Sequence, residues 1–139
     1  MFSIPSQQRT ASKELIQFAK AQANDILMNI RGVDYIMLCS TDGFELAAIY
    51  KKNPYNSTKL AAVSSSILAM VTAFLNEIQL TGCQSITLDA ENGKAILTSI
   101  PAQHHPMVMV TLSNKDVLLG QLLYSLKQAS TAISEADQA

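Results

Sequence analysis

Residues 32–49 read GVDYIMLCSTDGFELAAI. The segment VDYIMLCS, residues 33–40, is nearly continuous in apolar character, the look of a strand covered on both faces. Thr41-Asp42-Gly43 breaks it with a glycine available for a positive φ, so the chain is expected to turn there. Residues 44–50, FELAAIY, then return as a second strand. A hairpin of this kind requires something apolar on each side of its sheet.

Upstream, residues 11–30 carry Leu15, Ala19, Ala23, Ile26 and Ile30 at three- and four-residue steps, the stripe of an amphipathic helix. Phe18 and Leu27 widen the stripe, and Gln22 interrupts its edge. Arg31-Gly32 supplies a cation and a glycine at the helix end. Residues 1–10 read as a loose tail. Downstream, residues 51–56 form a loop, and Asn56 or Ser57 caps a long second helix that ends near Leu80. Leu60, Val63, Ile67, Met70 or Val71, Phe74 and Ile78 read as its main stripe, facing the sheet. The other face carries Ala61, Ala62, Ser65, Ala69, Thr72 and Ala73, where a solvated helix would carry Lys and Glu. Small residues let another backbone approach closely. The helix is therefore expected to be covered twice, by the sheet and by a partner chain; burial inside a larger single domain is the alternative.

Residues 83–89, CQSITLD, alternate like a half-buried strand, and Glu91-Asn92-Gly93 predicts a hairpin turn of type I′. Residues 94–100 return, 101–106 form a loop, and MVMVTL, residues 107–112, is a buried fifth strand. Ser113 with Asp116 has capping-box spacing, ahead of a stripe of Leu118, Leu119, Leu122, Leu123 and Leu126. That helix is expected to end between residues 129 and 133, leaving 134–139 as a polar, flexible tail. The order αββαβββα gives an α+β fold: a single five-stranded, mainly antiparallel sheet with helices on both faces, in one domain over residues 11–133.

Composition narrows the function. The 139 residues are 48% hydrophobic and 15% charged, against a usual charged share of about 25%; a monomer this apolar would expose much greasy area. Net charge is −1, and no basic cluster beyond Lys51-Lys52 could track a phosphate backbone, so nucleic-acid binding is not expected. Cys39 and Cys83 lie in apolar stretches without metal or redox spacing. No charged segment followed by an apolar one marks the N-terminus as a secretory signal, so the cytoplasm is the expected location. The uncharged run at 60–76 contains three serines and a threonine, and that at 95–114 is cut by Pro101 and Pro106; neither reads as a membrane span.

Catalytic constellations are missing. Neither GxxxxGK[ST] nor GxGxxG occurs. Ser64-Ser65-Ser66 falls inside a helix without the glycine-flanked elbow of a hydrolase serine. Adjacent His104 and His105 do not face the same way in an extended segment and have no third ligand nearby in sequence, so they read as a solvated loop rather than a metal site. Asp34, Asp42, Glu45, Asp89, Glu91 and Asp116 sit at turns and element ends and form no acid–base pair. No catalytic, cofactor or metal residues are expected.

The element order, with GVDYIMLCSTDGFELAAI at 32–49, resembles the roadblock family of dynein light chains and bacterial MglB-like proteins. Gly32 before the first strand, the Asp42-Gly43 turn, the uncharged helix at 60–76 and a three-stranded part leading to a leucine-rich last helix carry the resemblance. Ser40-Thr41 departs from it where relatives often place a charge. Longin and profilin-like folds share part of the layout. The resemblance implies a homodimer that pairs the long second helices and joins the third strands into one sheet. An isologous contact suits such a surface. Ala61, Ser65, Ala69, Thr72 and Ala73 are the expected helix contacts, with Gln84, Ile86 and Leu88 near the strand contact. It further implies a non-enzymatic scaffold or regulator of a Ras-like small GTPase. Arg9 and Arg31 are the only arginines, and neither stands as an arginine finger. Stimulated hydrolysis would instead come from reordering the GTPase's own residues. A small-ligand sensory domain and a purely structural subunit are the alternatives; the first needs a pocket with convergent polar groups.

Overall fold

A computed structural model describes residues 11–52 and 55–137; the expected N-terminal tail lies outside them. Helix α1 (Lys13–Asn29) starts where Ser12 accepts the Leu15 N–H at 3.2 Å, and buries Leu15, Ala19, Ala23, Ile26 and Leu27, the stripe expected from the sequence. It feeds the hairpin β1 (Val33–Ser40) and β2 (Glu45–Tyr50). Gly43 takes φ +96° in the turn, its N–H donating to the Ser40 carbonyl at 3.0 Å, while Ser40 Oγ accepts the Phe44 N–H at 3.0 Å. A side chain there would be strained in that left-handed region.

Helix α2 (Ser57–Glu77) follows, with Asn56 accepting the Lys59 N–H at 3.1 Å. Strands β3 (Ser85–Ala90), β4 (Gly93–Ile100) and β5 (Met107–Ser113) then precede helix α3 (Leu119–Ala136). The sheet has the order β2-β1-β5-β4-β3, with every neighbouring pair antiparallel. Of the three inner strands, β1 and β5 are buried at nearly every position, which is why both read as continuous apolar runs. Alternation along β1 splits the interior in two. Ile36 and Leu38 join Ile96, Met109, Leu122, Leu126 and Ile133 beneath α1 and α3. Tyr35, Met37 and Cys39 join Leu97, Val108, Val110 and Ala61 beneath α2. Burial pushes the Cys39 thiol up to about 12, so it is an inert part of that core.

Three local expectations are corrected. Asn92-Gly93 does not make a type I′ turn: Gln79 is the only non-glycine with positive φ among the described residues, and Gly93 is not among the positive-φ glycines. Gly93 is instead a strand residue opposite Ala90, and a Cβ on it would come within 2.6 Å of the Ser113 carbonyl oxygen. Ser113 does not cap α3. It ends β5, and the Asn114 side chain takes the Asp116 N–H at 3.0 Å while the Asn114 N–H binds the Gly32 carbonyl at 2.9 Å. These bonds hold the chain in a turn, and the helix starts only at Leu119. Finally, residues 134–136 are the last turn of α3 and not a tail. The buried Asp137 carboxylate accepts the backbone N–H groups of His104 and His105 at 2.6 and 3.0 Å, and lies 2.8 Å from His105 Nδ1. The histidine loop thereby becomes the anchor of the helix end.

Candidate interaction surface

The surface that sets this molecule apart is built on α2, and it begins with how the helix meets the sheet. Tyr35 sends its hydroxyl to Ser57 Oγ at the start of the helix, while its ring stacks on Tyr50 at 5.9 Å and meets Tyr55 edge-on at 4.9 Å. Burial raises the Tyr35 hydroxyl above its ordinary value, the Ser57 bond only partly opposing this. Two turns further along, Ser65 Oγ donates to the Thr41 carbonyl at 2.5 Å. A Cβ on Gly43 would lie 3.5 Å from Ala62 Cα and 3.6 Å from Ser65 Cβ. Small residues do let a backbone come close, but the backbone is the chain's own β1–β2 turn.

This packing corrects part of the face assignment made from the sequence: Leu60 and Ile67 do pack toward the sheet, whereas Val63, Met70, Phe74 and Ile78 do not. Ala61 is fully buried against the sheet and Ser64 nearly so, with Leu60, Ser65, Ile67, Leu68, Val71 and Leu75 half-buried. The bulkier ridge points outward: Val63 is 46% exposed, Met70 70%, Phe74 63% and Ile78 49%. Hydrophobic spacing marks both ridges. The expected stripe mixed members of both, because the close approach of Gly43 to Ala62 and Ser65, which sets the helix rotation, is not visible in the spacing.

Of the eight expected contact residues, Ala61 is therefore corrected: it is interior to its own chain and has no surface to offer. Ser65 is half-buried and engaged with Thr41, whereas Ala69, Thr72 and Ala73 are exposed. Gln84 is exposed just before β3, Leu88 is exposed on it, and Ile86 is half-buried against the core beneath α2. Among the described residues, strand β3 is an edge, paired only with β4, and is exposed along its length except at Ile86. Sequence reasoning missed Val63, Met70, Phe74 and Ile78 as surface residues, although they lie at helical spacing and were visible as a set.

Helix α2 is also long and apolar enough, by length and composition, to cross a membrane. Its serines fasten it to the sheet, so it is an element of this domain. Among the described residues no group of three His, Cys, Asp or Glu could hold a metal ion. Arg31 is exposed at the end of α1, and Arg9 lies outside the described residues.

Comparison with known proteins agrees with this architecture. The gliding protein MglB from Thermus thermophilus superposes with a TM-score of 0.82, at 17% identity and 98% coverage of both chains. An MglB structure described with a tetrameric arrangement gives the same values. MglB from Myxococcus xanthus gives 0.81 at 13% identity, covering 93% of this chain and 94% of the other. No curated protein sequence matches the chain. At such identities the superpositions establish the fold alone. Sequence membership comes from the Roadblock/LC7 domain, whose family pattern matches residues 22–103, from the middle of α1 to the loop after β4. With that match spanning more than half its length, the chain belongs to the Roadblock/LC7 domain family.

Proposed function

We propose that this protein is a homodimeric, non-enzymatic platform that binds and regulates a Ras-like small GTPase. The observation that carries the reading is the outward ridge of α2, Val63, Met70, Phe74 and Ile78, adjoining a chain with an open β3 edge. Large apolar side chains gathered on a water-facing helix mark an interaction site. Full burial of each is worth about 1.5–3 kcal/mol. A second copy of the chain supplies a matching ridge by twofold symmetry, and an unpaired edge strand is a natural place for two sheets to join. Ala69, Thr72 and Ala73 lie on the exposed part of the same helix, and Gln84 and Leu88 at the edge, as contacts of that dimer.

The GTPase follows from family membership. The roadblock resemblance implies such a partner, and the tetrameric arrangement described for one MglB is a property of that protein which this chain can be tested for. Arg31, the one arginine among the described residues, follows the end of α1 and does not stand as a finger, so stimulated hydrolysis is expected to come from ordering the GTPase's own catalytic groups.

Two measurements test this. Sedimentation velocity should give a dimer for the parent chain and a monomer for the Met70→Glu/Phe74→Glu variant; a parent monomer at tens of micromolar would remove the dimer from the proposal. Affinity capture from the host lysate, with GDP or a non-hydrolysable GTP analogue, should retain a Ras-like GTPase. Retention mainly with the analogue marks an effector-state partner, equal retention marks a scaffold, and none in either state refutes the GTPase reading. Arg31→Ala should leave any stimulated hydrolysis within about twofold of the parent, since no finger is lost.

A further inference from the structure

The sheet has a second edge, β2, on the far side of the molecule from β3. The Lys51 N–H donates to the Asp34 carbonyl at 3.0 Å, one step beyond the Tyr35–Tyr50 pair. Opposed residues of an antiparallel ladder alternate between bonded and non-bonded pairs. Ala47 and Ile49 therefore bond to β1, whereas Ala48 and Tyr50 turn their N–H and C=O groups outward. Among the described residues nothing pairs with those outward groups. Positions 46–50, LAAIY, carry none of the charges or prolines that usually blunt an edge. The ladder is irregular only where the strand begins, opposite Leu38 and Cys39.

The rim of this edge is basic on one side of the sheet and apolar on the other. Helix α1 lies on β1 and β2 and also meets α3. Its Gln22, Asp25 and Asn29 line the cleft against α3. At roughly 100° per residue, Lys13 and Lys20 fall on the opposite flank, the β2 side, above half-buried Ile16. Because α1 and β2 are both antiparallel to β1, this flank runs alongside β2, and Lys51 and Lys52 extend the row past the end of the strand. All four lysines are exposed. The carboxylates at this edge are Asp34, Asp42 and Glu45, and Asp42 already accepts the Ser40 hydroxyl at 2.5 Å. On the α2 side, Ala48 joins the core and Tyr50, 45% exposed, stacks on Tyr35.

We propose that the β2 edge takes up an extended acidic segment of another protein as a sixth strand. Residues of that segment opposite Ala48 and Tyr50 are apolar and point to the α2 side. Those opposite Ala47, Ile49 and Lys51 are Asp or Glu and point toward the lysines. Two nearer occupants match this rim poorly. Pairing with β2 of a second copy would bring two α1 flanks and their lysines face to face, a like-charge contact. Residues 1–10 hold Arg9 and no carboxylate. The site depends on neither the dimer nor the GTPase reading, since β2 is the edge opposite β3.

A suitable probe is the end-capped heptapeptide Val-Glu-Val-Glu-Val-Glu-Val, titrated into the intact, isotopically labelled chain and followed by amide chemical shifts. The expected result is saturable shifts at Ala48 and Tyr50, with slower solvent exchange of both amides. Lys13→Gln/Lys20→Gln, at exposed positions that the fold does not need, should weaken the peptide about fivefold, the loss of two exposed charge contacts. Added salt should weaken the parent more than this variant. Ala48→Pro, which an edge strand tolerates where the N–H faces outward, should abolish binding; the lysine variant leaves the strand untouched and decides the matter should the proline unfold the chain. Met70→Glu/Phe74→Glu should bind the peptide as the parent does. The proposal is overturned if no saturable shifts appear at Ala48 and Tyr50, including because residues 1–10 already cover the edge. It is equally overturned if the peptide with Lys in place of Glu binds as well, or if binding is lost in the Met70→Glu/Phe74→Glu variant.

Discussion

Beneath α1 and α3, Leu122, Leu126 and Ile133 are fully enclosed, whereas on the α2 side Met70 and Phe74 stand in water. The difference is one of width. Five strands spaced about 4.8 Å apart span about 19 Å, and two helices side by side, at about 8–10 Å between axes, cover that distance. One helix covers about half of it. Helix α2 packs on β1, β2 and β5, and β3 is left with little over it. A face roofed by two helices closes within one chain, while a face roofed by one leaves apolar surface that only another molecule can cover.

The largest expected effect comes from the closed face. Leu122→Ala should lower stability by about 2–5 kcal/mol, read by urea unfolding, and the loss should be the same at low and high protein concentration. Phe74→Ala on the open face should instead reduce stability only where the parent is associated, so that its effect fades on dilution. A concentration-independent loss of similar size would mean that Phe74 packs within its own chain.

Ala61→Leu sharpens the comparison next. If Ala61 faces its own sheet, the larger side chain overpacks the core and costs about 1–3 kcal/mol; if it faced a partner, the monomer would be unaffected. The Asp137 anchor of α3 is of similar size. Burial by itself would raise that carboxyl, but the His105 ring and the backbone N–H groups of His104 and His105 outweigh it and hold the carboxyl below its ordinary value. Its contribution is therefore complete above the unfolded pKa, about 4, and disappears as pH falls through the folded value. Asp137→Ala should cost about 1–3 kcal/mol at neutral pH, and urea midpoints of variant and parent should converge under strongly acidic conditions.

The smallest effect belongs to the end of α2. Gln79 has φ +64°, and the Leu80 N–H reaches back to the Leu75 carbonyl at 2.8 Å, a left-handed helix end. Gln79→Gly should stabilise by about 0.5–1 kcal/mol, measured as a small rise in the urea midpoint, with the association state unchanged.

Much of the architecture was legible because it is set by local patterns. The stripe from Leu15 to Ile26 could only be a helix face, VDYIMLCS and MVMVTL could only be strands covered twice, and the Asp42-Gly43 turn carries its own chemistry. Element order then limited the sheet to an antiparallel one with helices on both sides. The surface was legible only as a composition: a helix with no charges between residues 60 and 76 had to be covered on more than one side.

Which side faces which was a tertiary decision. Val63, Met70 and Phe74 are as apolar as Leu60, Ile67 and Leu68, so periodicity alone gives two equivalent ridges. The choice falls to the approach of Ala62 and Ser65 to Gly43, a contact between elements some twenty residues apart. The same is true of Gly93, spared a side chain by the Ser113 carbonyl across the sheet, and of Asp137, which caught the histidine loop more than thirty residues away. Sequence patterns determined which segments are helices and strands, since those depend on neighbours along the chain. Only the assembled structure decided which residues meet, because steric fit between distant segments leaves no period in the sequence.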